Sequence, residues 1–146
     1  MLSGKKTAAC LLLAAIPLGC TGFLNSFELG STGIRLVNNG TFGVSATIVY
    51  DTDANVPDDS IGNLGTQTTV QVPAGQTLDI APIPCPLIHA VKVLDATLQS
   101  GSNPPHTHSD TFREGPDYAC GDRVIFTFSN SILMIDFSVK ESRERP

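Results

Sequence analysis

The chain has no tryptophan and only two tyrosines, Tyr50 and Tyr118, in 146 residues. Carbohydrate sites lean on exposed aromatic platforms, so sugar binding is disfavoured from composition alone. Basic residues are also few: nine Lys or Arg stand against fourteen Asp or Glu, for a net charge of −5. Nucleic-acid binding runs on cations that neutralise phosphates, and this balance argues against it. It equally disfavours a polybasic patch for anionic lipids. The longest apolar run, Thr7 to Leu18, is too short to cross a ~30 Å hydrocarbon core as a helix. Two catalytic signatures are missing as well: there is no Gly-x-Ser-x-Gly nucleophile elbow and no Cys-x-x-Cys redox pair. Acids are plentiful, but no two sit in a context that would drive their pKa values apart. A non-catalytic role is the expectation.

What is present begins at the N-terminus. Lys5 and Lys6 precede the Thr7–Leu18 run, and that run ends at Gly19-Cys20. A short basic stretch, an apolar core of about a dozen residues and a small residue at the junction have the pattern of a secretory signal. With Gly19 directly before Cys20, the segment resembles a bacterial lipoprotein signal, although Pro17 stands where such signals favour Leu. The resemblance covers the first twenty residues and implies cleavage before Cys20, with acyl chains (palmitate among them) on that cysteine. An ordinary signal cut a few residues later would instead leave Cys20 as a thiol. Thr21 occupies the position where an inner-membrane retention signal often carries Asp, so the resemblance implies the outer membrane.

Cysteine arithmetic bears on the choice. Of the four cysteines, Cys10 would leave with the signal. If Cys20 carries lipid, Cys85 and Cys120 remain as a pair suited to an oxidising compartment; if not, one thiol is left over. Cys85 lies between Pro84 and Pro86 ahead of an apolar segment, and Cys120 stands just ahead of another. A bridge there can tie two loops, provided the Cα atoms come within about 7 Å. Loss of residues 1–19 removes two lysines and no acid, which leaves seven basic residues against fourteen acidic ones. The remaining chain is long enough to bury roughly two thirds of its unfolded surface, so it needs no metal or partner merely to fold.

Beyond Cys20 the segment TGFLNSFELGSTG reads as a tether, with Phe23, Leu24, Phe27 and Leu29 apolar enough for part of it to dock on the domain. From Ile34 the apolar period is two. IRLVNN leads through Asn39-Gly40, a strong hairpin signal, into TFGVSATIVY, where Phe42, Val44, Ala46, Ile48 and Tyr50 share a face. The acidic stretch DTDANVPDDSIGNLG has no period and reads as a loop. TTVQV and TLDIA flank a PAGQ turn, and AVKVLDATL shifts its apolar face near Leu94 as a bulge would. RVIFTFS and ILMIDFSV close the set around Ser129-Asn130-Ser131, with Val124, Phe126 and Phe128 on one face of the first and Leu133, Ile135, Phe137 and Val139 on one face of the second. The tail KESRERP is expected to fray. Seven strands and no helix after the signal predict an all-β antiparallel sandwich of immunoglobulin-like architecture, without the tryptophan and tyrosine corner of antibody domains. The expected division is a signal at 1–19, a tether at 20–32, the sandwich at 33–140 and a charged tail at 141–146.

Two groups of residues have ligand character. His106, His108 and Asp110 alternate within a long loop; if extended, they would line one side and hold a metal, completed by His89 or Asp117. Asp51 and Asp53 open a stretch that echoes a calcium loop, with Asp58 and Asp59 nearby. Val56 and Gly62, however, stand where the loop requires glycine and a bidentate acid. Solvated polar loops account for both groups more simply, so no cofactor is expected. The sequence therefore points to a lipid-anchored envelope protein whose sandwich is a structural or protein-binding module. The alternative is a periplasmic metal-binding accessory protein using the 106–110 loop.

Overall fold

The computed structural model describes residues 30–132 and 136–146. The signal, Cys20 and almost all of the tether lie outside these residues, as do Leu133 and Ile135. The strands are β1 (Ser31–Asn38), β2 (Val44–Asp51), β3 (Thr66–Val72), β4 (Thr77–Pro84), β5 (Ala90–Leu98), β6 (His106–Thr107), β7 (Phe112–Arg113), β8 (Arg123–Ser129) and β9 (Ser138–Glu144). A single helical turn, α1 (Ile61–Leu64), precedes β3. One sheet has the order β4-β1-β8-β9; the other runs β3-β2-β5-β6, with β7 also paired to β5. The fold is an all-β sandwich. Its strand pairings are antiparallel except for β1 with β8, which run parallel from Gly33 opposite Arg123 to Asn38 opposite Phe128.

Alternation does what period two requires. Ile34 and Leu36 of β1, Val44, Ala46 and Ile48 of β2, and Val124, Phe126 and Phe128 of β8 all turn inward and are almost fully buried. Each large inward side chain removed from water contributes about 1.5–3 kcal/mol, which is what selects the register. The expected bulge in β5 is present: Asp95 stands opposite Thr47 and Val93 opposite Ile48, so Leu94 is the extra residue. It turns to the outer face and packs against a second, smaller cluster of Val49, Val56, Ile61 and Ala90.

That smaller cluster corrects the reading of the acidic stretch as an unstructured loop. Val56 and Ile61 are buried, and α1 folds them over the outer face of the β2–β5 sheet. Two apolar residues separated by polar ones carry no period, so nothing in the pattern announced the packing.

Asn39-Gly40 does not make a hairpin. β1 and β2 belong to different sheets, and the chain crosses between them here. A type I′ turn needs positive φ at both central residues, and Gly40 is not among the glycines with positive φ. Gly40 is instead pressed against Asn130, whose Nδ2 would lie 1.8 Å from an added Cβ. PAGQ is a turn, with Gly75 at φ 66 and Gln76 N–H donating to Pro73 O at 3.1 Å. It too is a crossover, since β3 and β4 lie in opposite sheets.

The C-terminal strand also lies elsewhere than expected. Ile132 is exposed in a turn, and β9 begins only at Ser138. The charged tail supplies most of the strand: Lys140 pairs with Thr127, Glu141 with Phe126 and Glu144 with Arg123. A strand with one paired side and much of its surface in water suits charged residues, although they hide it from any apolar pattern. At the other terminus β1 starts at Ser31, so the last residues assigned to the tether are already in the sheet.

Candidate functional site

The two ends of the sandwich are held by different chemistry. At one end, Asn38 is fully buried in the last position of β1. Its Nδ2 donates to Phe42 O at 2.9 Å, Val72 O at 3.0 Å and Pro73 O at 3.2 Å, while its Oδ1 accepts from Gly40 N–H at 2.9 Å. One amide thus satisfies both crossovers at once. Asn130 supports the first of them from β8's end: its Oδ1 accepts from Thr41 N–H at 3.0 Å and Phe42 N–H at 3.2 Å.

At the opposite end Cys85 and Cys120 are joined in a disulfide, with their Cα atoms 5.5 Å apart. Cys85 N–H donates to Gly30 O at 2.8 Å, and an added Cβ at Gly30 would come within 2.5 Å of Cys120 Sγ. The chain therefore enters the domain directly beneath the bridge. Tyr118, fully buried nearby, donates its hydroxyl to Ile88 O at 2.9 Å and stacks on Phe112. Burial raises its pKa well above the ordinary phenol value. Its partner lies 30 residues upstream, unlike the short reach of an antibody tyrosine corner. Tyr50 packs against the core, so both tyrosine rings are committed to the interior. A groove of about 300 Å³ at this end is lined by Ser31, Pro82, Asp122, Arg123, Glu144 and Arg145. Its charges face one another: Arg123 Nη1 lies 2.7 Å from Glu144 Oε2, and Arg145 Nε 3.8 Å from Asp122 Oδ1.

The histidine loop does not assemble a ligand set. Only His106 and Thr107 are in a strand, and Ser109 then turns inward. Ser109 Oγ accepts from Val93 N–H at 2.8 Å and its N–H donates to Val93 O, which binds the segment to β5 beside the bulge. His106 Nδ1 lies 3.0 Å from Asp95 Oδ1 and 3.0 Å from Thr97 Oγ1. Asp110 N–H donates to Glu141, and His108 is exposed. His89 pairs with Glu114, while Asp117 accepts from Arg113 N–H at 2.7 Å. Among the described residues no three His, Cys, Asp or Glu side chains form a group able to hold a metal. Replacing His106 and His108 together by alanine is expected to leave stability within about 0.5 kcal/mol, as for other surface substitutions. Thermal unfolding with and without Zn²⁺ checks this, and a zinc-dependent rise in Tm that the double variant loses would contradict it.

The acidic loop is organised around a cation of the chain itself. Arg113 donates to Ala54 O and to Val56 O, and pairs with Asp58. Asp58 is held below the usual carboxylate range by the Thr111 hydroxyl and then by Arg113. Asp51 and Asp53 turn back on their own backbone, accepting from Asp53 N–H and Asn55 N–H at 2.8 Å each, while Asp59 accepts from Ser60 Oγ at 3.2 Å. Sequence reading missed Arg113 because its partners lie more than fifty residues away.

The edges of the two sheets differ in a way that bears on recognition. β4 carries Pro82 and Pro84 and the ion pair of Asp79 with Arg35 at 2.7 Å; that guanidinium holds the Asp79 carboxyl below its usual range. β9 bears Lys140, Glu141, Arg143 and Glu144. On the fourth edge β6 and β7 are two residues each. Prolines, charges and very short strands are the usual devices against unwanted pairing. β3 has none of them. TQTTVQV is seven residues long, uncharged, free of proline and mostly exposed.

No family model matches the chain, and no curated protein matches it. A solved structure described as "NMR structure of the protein from Eubacterium rectale" is similar, with a TM-score of 0.47 and 17% sequence identity, covering 76% of this chain and 87% of that one.

Proposed function

We propose that this chain is an exported, lipid-anchored protein of the bacterial cell envelope, whose sandwich is a non-catalytic protein-binding module. The observation that carries the reading is the Cys85–Cys120 disulfide, because such bridges persist in oxidising compartments. It gives the two cysteines left after Cys10 and Cys20 a shared role, so that a lipidated Cys20 would leave no thiol over. The placement of Gly30 beneath the bridge adds to this: ten residues from Cys20 reach at most about 35 Å, so an acylated Cys20 would keep the disulfide end close to the membrane. A binding role is supported by β3, an edge strand of seven uncharged and mostly exposed residues that leaves its outer backbone groups open to a partner.

The expected result is a mature mass that starts at Cys20 and carries acyl chains, measured on protein extracted from membranes. Cys20→Ser is expected to release the protein or stall its processing. An unmodified Cys20 within a longer mature chain would refute the anchor.

A further inference from the structure

We propose that β3 is a strand-addition site and that its occupant is β3 of a second copy of this chain. The inference rests on the binding-module part of the reading above and is independent of the anchor. An edge strand offers a row of backbone N–H and C=O groups, and a partner strand that pairs with them gains main-chain hydrogen bonds. Of the four edges described, only β3 leaves that row without proline, charge or an interrupted strand.

The residues of β3 also choose the partner. An antiparallel pairing about a two-fold axis through Thr69 places Gln67 of one copy opposite Gln71 of the other, Thr69 opposite Thr69, and Thr68 opposite Val70. From the pairing with β2, Gln67, Thr69 and Gln71 lie on the outer face and Thr68 and Val70 on the inner one. Polar therefore meets polar outside, where Thr69 and Gln71 already bond Thr47 and Ser45. Val70, half-buried at the rim of the core, gains cover inside from the opposing Thr68. Direct cross-strand pairs of this kind are favourable, and no like charges oppose each other. The rest of the molecule is strongly acidic, whereas β3 carries no charge to repel its own copy. Because each copy has one such edge, pairing consumes both and closes the assembly as a dimer.

Sedimentation equilibrium of the detergent-solubilised full chain is expected to show a reversible monomer–dimer equilibrium. Thr69→Lys sets two ammonium groups against each other across the axis and is expected to weaken dimerisation at least about tenfold. Thr77→Lys, an exposed position on β4 in the other sheet, is expected to leave it unchanged. Thr69→Cys is expected to form an interchain disulfide on mild oxidation, with peptide mapping joining the introduced thiols of the two copies. This readout stands even where Thr69→Lys disturbs the fold. A monomer at every concentration, equal weakening by Thr77→Lys, or absence of the Thr69→Cys cross-link each overturns the proposal. A monomer that still captures other envelope proteins overturns it while leaving the broader reading in place.

Discussion

Asn38→Ala is expected to destabilise the domain by roughly 3–5 kcal/mol, well above the ~1 kcal/mol typical of a point substitution. The substitution leaves Gly40 N–H buried without a partner, and Val72 O, Phe42 O and Pro73 O each lose a donor. A buried polar group left unmatched costs about 1–3 kcal/mol, and each of the three other hydrogen bonds lost adds roughly 0.5–1.5 kcal/mol. Asn38→Asp separates hydrogen bonding from size. It keeps the acceptor for Gly40 N–H but sets a carboxylate against three carbonyl oxygens, and is expected to be at least as damaging as alanine. Asn39→Ala, one residue along and exposed, is expected to change stability by less than about 0.5 kcal/mol. Denaturant unfolding of the three variants measures this. An Asn38→Asp variant within about 1 kcal/mol of the parent would contradict the account of the crossovers.

Removing the disulfide has the second large effect. Cys85 and Cys120 are 35 residues apart, and closing a loop of that length stabilises a fold by roughly 3–4 kcal/mol in the chain-entropy model. Reduction, or Cys85→Ala with Cys120→Ala, is expected to lower Tm by more than about 10 °C. A non-reducing peptide map of protein from its native compartment should recover the two cysteines in one linked peptide. Free thiols at both positions would refute the bridge, and with it the main support for export. The consequences are local as well as global, because Gly30 packs against the bridge and its carbonyl accepts from the Cys85 N–H.

The parts of this fold legible in the sequence are those where burial acts on consecutive residues of one strand. Val124, Phe126 and Phe128 were readable as one face, as were Val44, Ala46 and Ile48, and the slip at Leu94 showed as a break in phase. The cysteines were readable from their number and flanking prolines. What escaped was structure held by single polar side chains reaching across the chain. Asn39-Gly40 satisfies the hairpin rule locally, but a buried amide at Asn38 and the pressure of Asn130 on Gly40 redirect the backbone to the other sheet. Arg113 gathers the acidic loop from afar, and Ser109 fastens the histidine loop to a bulge; neither leaves a periodic trace. β9 escaped for the opposite reason, since an edge strand rich in Lys, Glu and Arg resembles a solvated tail.

The position of Gly30 also has a mechanical consequence. Tension on the preceding residues reaches the fold first through β1, the strand hydrogen-bonded on one side to β4 and on the other to β8. A pull directed along β1 would have to slide it past both neighbours, loading those two ladders together in shear instead of peeling them one bond at a time. The bridge between Cys85 and Cys120, lying against Gly30, stands at the point where that load first meets the fold. A domain pulled from this end would thus resist through a strand held on both sides.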